Sequence, residues 1–294
     1  MRVAAIDVGS NTVRLLVAGR ARTGVEPLRE EKAVLLLGEE VERHGRIRAR
    51  KLDEVSECVA SYGRLARELG ASRIDVIVTA PGRQSENAEE LVHRLALAAG
   101  APTRVVSADE EGRLAFLGAV AGSDEDLSGT VAVCDVGGGS TEIVVGTLLG
   151  GPAWLRSVDL GCVRLTERFL PDDPPGKAAL ARAAEEAERH FEGVLPPLPR
   201  AALAAGGTAR ALRKLVGPRL GPDELEAAAR RAAKRSAREL AKEHGIDRRR
   251  ARTVAAGAVL MAAVQRRLAV PLVVARTGLR EGAVLELLSE QQAA

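Results

Sequence analysis

Two short stretches of this chain repeat one pattern of residue types: Ala4-Ala5-Ile6-Asp7-Val8-Gly9-Ser10-Asn11-Thr12 and Ala132-Val133-Cys134-Asp135-Val136-Gly137-Gly138-Gly139-Ser140-Thr141. Each passes from an apolar run into Asp-Val-Gly, then small polar residues, then a second apolar run at 13–17 or 143–146. Runs this short and β-branched predict buried strands, and the glycines between them permit the positive φ of a hairpin turn. Small residues at such a lip leave backbone N–H groups uncovered. Gly9, Ser10, Asn11 and Thr12, with Gly137, Gly138, Gly139, Ser140 and Thr141, are therefore candidate binders of phosphate oxygens. Asp7 and Asp135, at the ends of the preceding strands, are candidate holders of a divalent cation, directly or through water. One such cluster alone is equally well a plain hairpin turn, or at 137–140 a linker. Two copies in matching positions favour a clamp on a Mg²⁺-bound phosphate chain.

A third glycine site, Gly206-Gly207-Thr208, follows a short apolar run and precedes a predicted helix over 209–215. Helix N-termini carry unpaired N–H groups and partial positive charge, so this site suits an anion, although it reads equally as a simple helix start. The chain contains no Gly-x-x-x-x-Gly-Lys-Ser/Thr sequence, which excludes a P-loop.

With 294 residues, 46% hydrophobic and 28% charged, the chain is a globular protein large enough for two cores, and the internal duplication makes two domains the natural division. Aromatic residues make up only 2%, so the cores must be built from Ala, Val and Leu, and base-stacking recognition of single-stranded nucleic acid is excluded. A net charge of +3 is too small to mark a nucleic-acid partner, yet it is compatible with a polyanionic small substrate. Arg230, Arg231, Lys234, Arg235 and Arg238, followed by Arg248, Arg249 and Arg250, read as a solvated helix face or as a track for a polyphosphate tail. Cys58, Cys134 and Cys162 are odd in number and widely spaced, unlike a disulfide framework or zinc site, which favours a reducing, cytoplasmic setting. The longest apolar stretch, 254–264, is too short to span a bilayer, so no membrane partner is expected.

Alternating signals predict strands near 3–8, 13–19, 33–37, 74–79 and 104–106, with helices near 51–69, 87–99 and 109–119: an α/β layered domain. The polar segment 122–126 marks a boundary near 123, giving domains 1–123 and 124–294. In the second half Asp223 is the expected N-cap of one helix running to His244 and stopped by Gly245, and a terminal helix is expected over 281–290.

The motifs in combination are similar to those of the exopolyphosphatase and guanosine pentaphosphate phosphohydrolase family, within the sugar kinase, Hsp70 and actin superfamily. The resemblance rests on Ala5 to Leu15, Ser107-Ala108-Asp109-Glu110-Glu111-Gly112-Arg113-Leu114, Asp135 to Glu142, Gly161-Cys162-Val163-Arg164-Leu165-Thr166-Glu167, Gly206-Gly207-Thr208-Ala209 and Gly278-Leu279-Arg280-Glu281-Gly282. It implies two actin-like (ribonuclease H-like) α/β domains facing each other across a cleft, with the terminal helix packing back on the first domain. It also implies Mg²⁺-dependent hydrolysis of a terminal phosphoanhydride. By position, Glu111 matches the glutamate that orients or deprotonates the attacking water. Glu142 matches a second acidic residue needed for activity and completes a metal set with Asp7 and Asp135. Arg83 matches an arginine that meets the phosphate chain. The substrate implied is inorganic polyphosphate or guanosine pentaphosphate, and homodimers occur among such proteins.

Glu110 and Glu111 are adjacent, so on a helix they point about 100° apart and one of them alone faces a given site. Two departures from the family pattern stand out. Ala80-Pro81-Gly82-Arg83 replaces an Ala-Leu-Arg run, and Arg250-Ala251-Arg252 replaces Arg-Ala-Asp. Two other readings share the fold: an ATP-dependent small-molecule kinase, and a sensor that binds nucleotide or polyphosphate and turns it over slowly or not at all. Cys162 and Arg168 also satisfy Cys-x5-Arg, but the residues between contain no glycine and include Glu167, which argues against a thiol-phosphatase loop.

Overall fold

The computed structural model describes residues 1–22 and 24–293 and divides into two compact units, Met1–Gly122 with Thr277–Ala294, and Ser123–Arg276. In the first unit β1 (Arg2–Val8), β2 (Thr12–Arg20) and β3 (Val25–Val34) pair antiparallel in succession. After α1 (Leu37–His44) and α2 (Ala49–Glu68) the chain returns as β4 (Arg73–Val78), parallel to β1. The short α3 (Ala80–Gln84) and α4 (Ala88–Ala99) lead to β5 (Thr103–Val105) and then α5 (Ala108–Ala121), completing a sheet ordered β3-β2-β1-β4-β5.

Alternation along β1 explains the layers. Ala4, Ile6 and Val8 face a core built from Leu52, Val55, Val59 and Ala66 of α2 and from Leu91, Leu95 and Ala99 of α4, residues at helical spacing on their own elements. Val3 and Ala5 face the opposite side, against Leu114 and Ala115 of α5. Strand β3 departs from expectation. The predicted strand at 33–37 lies across the end of β3, a left-handed residue at Leu36 (φ 59°) and the start of α1. The strand itself occupies 25–34 because an edge strand carries charge, here Glu26, Arg29, Glu30, Glu31 and Lys32, rather than the apolar alternation that makes central strands legible.

The second unit repeats the opening. Strands β6 (Thr130–Val136), β7 (Thr141–Thr147) and β8 (Gly151–Val158) pair antiparallel; α6 (Cys162–Phe169) and α7 (Lys177–His190) follow, and β9 (Ala201–Ala205) returns parallel to β6. Helix α8 (Gly206–Val216) and β10 (Arg219–Leu220) come next. The predicted helix ending at His244 is two, α9 (Pro222–Ala232) and α10 (Ala237–His244). The break falls where Ser236 and Glu239 form a capping box that starts a new helix, and Gly221, not Asp223, is the N-cap of α9 because Pro222 takes the first helical position. Gly245 does end α10, in the left-handed conformation. After α11 (Arg248–Arg252), helix α12 (Val254–Leu268) is apolar on nearly every side and packs against α6, α7, α8 and α9, and β11 (Leu272–Val274) completes a sheet ordered β10-β11-β9-β6-β7-β8. Among the described residues no helix is long and apolar enough to cross a membrane.

The last helix, α13 (Leu279–Ala293), belongs to the first unit, so the second ends at Arg276 rather than at the end of the chain. It lies on α5 with backbone touching backbone. A Cβ added at Gly118 would fall on the Gly278 carbonyl oxygen and within 2.6 Å of the Gly282 nitrogen. Thr277 Oγ1 donates to Gly118 O at 2.6 Å, Glu281 accepts from Gly278 N just before the helix at 2.7 Å, and buried Arg280 donates to Leu15 O at 3.1 Å and to Glu30 at 2.8 Å. The Gly278-Leu279-Arg280-Glu281-Gly282 motif thus clamps α5 onto β1 and β2. Gly118→Ala is expected to cost about 1–3 kcal/mol, because neither backbone can retreat without lifting α5 off its sheet. A lowered melting temperature checks this, and an unchanged one contradicts the close crossing.

Candidate functional site

Both hairpin turns close in the same way. Gly9 N donates to Thr12 O at 3.1 Å and Gly137 N to Ser140 O at 2.9 Å, so the two loops, 9–12 and 137–140, share one backbone pattern. Ser10, Asn11, Thr12, Ser140 and Thr141 are all buried. Among the described residues neither Nδ2 nor Oδ1 of Asn11 has a hydrogen-bond partner, although the residue is only 4% exposed. Leaving a buried polar group unmatched costs about 1–3 kcal/mol, and a ligand or ordered water meeting the amide would recover it.

Strand register sets the charges beside each loop. Asp7 pairs across the first hairpin with Arg14, whereas Asp135 pairs across the second with Glu142. Directly opposed residues share a face of the sheet, so the first rung joins opposite charges and the second joins like charges, which repel unless a cation or proton lies between them. Glu142 is 1% exposed and accepts from Ser157 Oγ at 2.9 Å on Oε1. Asp135 lies against the start of α8, where Gly206 has φ +82° and a Cβ would come within 2.8 Å of the carboxyl carbon. Gly206 thus serves as a seat for Asp135 as much as an N–H donor. Among the described residues no group of three or more His, Cys, Asp or Glu side chains forms a metal cluster. Two hard carboxylate oxygens beside a glycine loop are nonetheless of a kind that could hold Mg²⁺, which commonly takes one or two carboxylates and fills its remaining positions with water and phosphate. Asp7 lies in the first unit, on the sheet face that α5 covers.

Glu111 stands in the first turn of α5, which Ser107 caps by accepting from Glu110 N at 3.1 Å. Its Oε2 receives a 2.8 Å bond from Arg83 Nη1, and the same nitrogen donates to Val106 O at 3.0 Å. The neighbouring Glu110 instead pairs with Arg104, which also bonds Asp75 at 3.1 Å. The two adjacent acids therefore have separate arginine partners. Burial pushes the Asp75 carboxyl above its usual range, against the pull of Arg104. The Pro81-Gly82 departure does not disrupt the approach of Arg83: Pro81 occupies an early helical position, and a Cβ on Gly82 would lie only 2.7 Å from a Val105 methyl, so the glycine seats α3 against β5.

Other expected positions serve packing. Thr141 Oγ1 donates to Leu160 O at 2.7 Å, so its hydroxyl hydrogen is used within the protein, and Thr208 Oγ1 lies 3.6 Å from Cys162 Sγ in the interior. Arg252 donates to Leu170 O and, at 2.8 Å, to Pro171 O, which ties the end of α6 to α11. In the basic run Arg230 pairs with Glu226 at 2.8 Å, Arg235 lies near Glu239 and Glu243, and Arg231 bonds Leu215 O, the behaviour of a solvated face. Arg250 differs, because its guanidinium packs on Gly207 at the start of α8. Arg14 and Ser157 escape notice as residue types, but once the hairpin register is fixed Arg14 falls opposite Asp7 and Ser157 opposite Glu142.

Comparison with known proteins agrees over nearly the full length. Residues 16–291 match the model of the Ppx/GppA phosphatase family. Exopolyphosphatase 1 of Mycobacterium tuberculosis is 31% identical over 309 residues, covering 99% of this chain and 89% of that protein. The crystal structure of the Aquifex aeolicus Ppx/GppA family member superposes with a TM-score of 0.81 at 29% identity, covering 99% of this chain and 98% of that one. An exopolyphosphatase from Cytophaga hutchinsonii, at 21% identity, shares the fold with a TM-score of 0.85 over 99% of this chain and 98% of its own. The repeated hairpins, the α5 acid and the extent of these matches lead to one assignment: the chain belongs to the Ppx/GppA phosphatase family.

Proposed function

We propose that this chain is an exopolyphosphatase-type hydrolase that removes the terminal phosphate of inorganic polyphosphate with the help of Mg²⁺. The observation that carries the reading is the Asp135–Glu142 rung, two carboxylates held side by side at the mouth of a three-glycine loop. That arrangement offers carboxylate oxygens of the kind that a divalent cation on a phosphate takes. The names of the full-length relatives supply the substrate class.

Asp135 and Glu142 would hold the cation, which when bound neutralises charge on the phosphate oxygens. The backbone of loop 137–140, in the same unit as the rung, takes phosphate oxygens. Glu111 accepts a hydrogen bond from the attacking water and takes its proton as the new P–O bond forms. The bridging P–O bond breaks, its electron pair goes to the departing phosphate oxygen, and the products are orthophosphate and a chain shorter by one unit. Arg83 fixes Glu111 through Oε2 and is itself anchored on Val106 O, so it orients the base.

Glu111→Gln is expected to lower kcat for phosphate release from long-chain polyphosphate about a hundredfold or more while leaving KM within a few-fold, since it removes the proton acceptor and not a phosphate contact. Parallel assays with guanosine pentaphosphate test substrate choice. No release from polyphosphate by the wild-type protein with Mg²⁺ would falsify the reading, and binding without turnover would make the protein a sensor. Glu142→Gln is expected to raise the Mg²⁺ concentration required for half-maximal activity; an unchanged Mg²⁺ requirement argues that the rung does not hold the cation.

A further inference from the structure

Loop 137–140 is backed by the start of α6. Cys162 N donates to Gly137 O at 2.9 Å, Val163 N to Gly138 O at 2.9 Å and Arg164 N to Gly138 O at 3.2 Å. These are N–H groups that a helix N-terminus leaves without partners inside the helix, and here they are used on the loop. A trans peptide points its C=O and the following N–H in opposite directions. Drawing the Gly137 and Gly138 carbonyls towards α6 therefore turns the N–H groups of Gly138 and Gly139 to the other side. The bonds require the helix to lie directly on the loop. At Gly161, the N-cap of α6, a Cβ would fall on the Gly138 carbonyl and 2.5 Å from Gly139 N.

The first unit repeats the device. Gly38 N, at the start of α1, donates to Ser10 O at 2.7 Å, while Leu35 N and Leu36 N donate to Asn11 O at 3.1 and 3.2 Å. A Cβ on Gly38 would lie 2.7 Å from Ser10 Cβ. In each unit, then, the segment after the third strand takes loop carbonyls, and a glycine at the contact makes the approach close enough.

We propose that Gly161 is a positioning residue for the second phosphate loop: by letting α6 seat against the Gly137 and Gly138 carbonyls, it aims the Gly138 and Gly139 amides at a phosphate oxygen. This rests on the reading of 137–140 as a phosphate loop. Any side chain at Gly161 pushes the loop off the helix and turns those amides, while the residues beside the loop keep their identity.

The test follows amide resonances of the isotope-labelled full chain during titration with imidodiphosphate, a diphosphate analogue that is not hydrolysed, in the presence of Mg²⁺. In the wild type the Gly138 and Gly139 amide protons are expected to move downfield on binding. Gly161→Ala is expected to lose those shifts, to bind about tenfold or more weakly, and to lose about a hundredfold in kcat on polyphosphate. Leu165→Ala, which deletes a fully buried side chain from the same helix and leaves the α6 N-terminal donors in place, is expected to lower stability while keeping the shifts and the affinity. Wild-type binding with the Gly138 and Gly139 amides unmoved overturns the proposal, whether or not the Gly161 variant folds. So does an equal loss of affinity in both variants, which would assign the effect to helix stability. Wild-type binding with the expected shifts but no phosphate release from polyphosphate sinks the hydrolase reading and leaves the role of Gly161 standing. Absence of wild-type binding overturns the proposal, while phosphate release from polyphosphate decides the hydrolase reading on its own.

Discussion

Where a residue lacks a Cβ, two stretches of backbone can touch, and the polar groups of both units depend on such contacts. Gly118 lets α13 lie on α5, the helix that carries Glu111. Gly161 lets α6 lie on the second loop, and Gly206 leaves room for the Asp135 carboxylate at the start of α8. With aromatics at only 2% of the chain, large side chains are too few to space these elements, and the interior is built mainly from Ala, Val and Leu. Close backbone approach is a precise way to fix a helix, because peptide groups have none of the rotamer freedom that lets a side chain yield.

On this frame, charge is distributed by strand register and helix phase. Arg14 opposite Asp7 and Glu142 opposite Asp135 give two otherwise similar hairpins different electrostatic character. The second rung sets two carboxylates side by side where the first sets a carboxylate beside a guanidinium. In the first unit the adjacent acids Glu110 and Glu111 are separated by the helix turn and given different arginines. Glu110 belongs to a structural network with Arg104 and Asp75, whereas Glu111 pairs with Arg83.

Departures from the family pattern also find physical roles. Pro81 and Gly82 support a short helix seated against Val105, and Arg252 holds carbonyls at the end of α6. Both act through packing or backbone contacts within their own units. The Gly278-Leu279-Arg280-Glu281-Gly282 motif is likewise structural: it clamps the Glu111 helix and contributes through position.

The two hairpins, their glycine loops, the α/β alternation and the family were all legible in the sequence, because strand periodicity and small-residue clusters are local signals. Strand β3 was not, because charge on an edge strand hides its period, and the break between α9 and α10 was missed because a capping box lies within an otherwise continuous helical pattern. By itself the sequence determined which residue types stand at each lip and that the pattern occurs twice. Only the tertiary structure decided that Glu142 shares a rung with Asp135, that Arg83 grips Glu111, that Thr141 donates to the Leu160 carbonyl, and that α6 takes the loop carbonyls. These relations join residues distant in the chain or depend on the direction of a hydrogen bond, and both are fixed by how elements pack rather than by any one element's own composition.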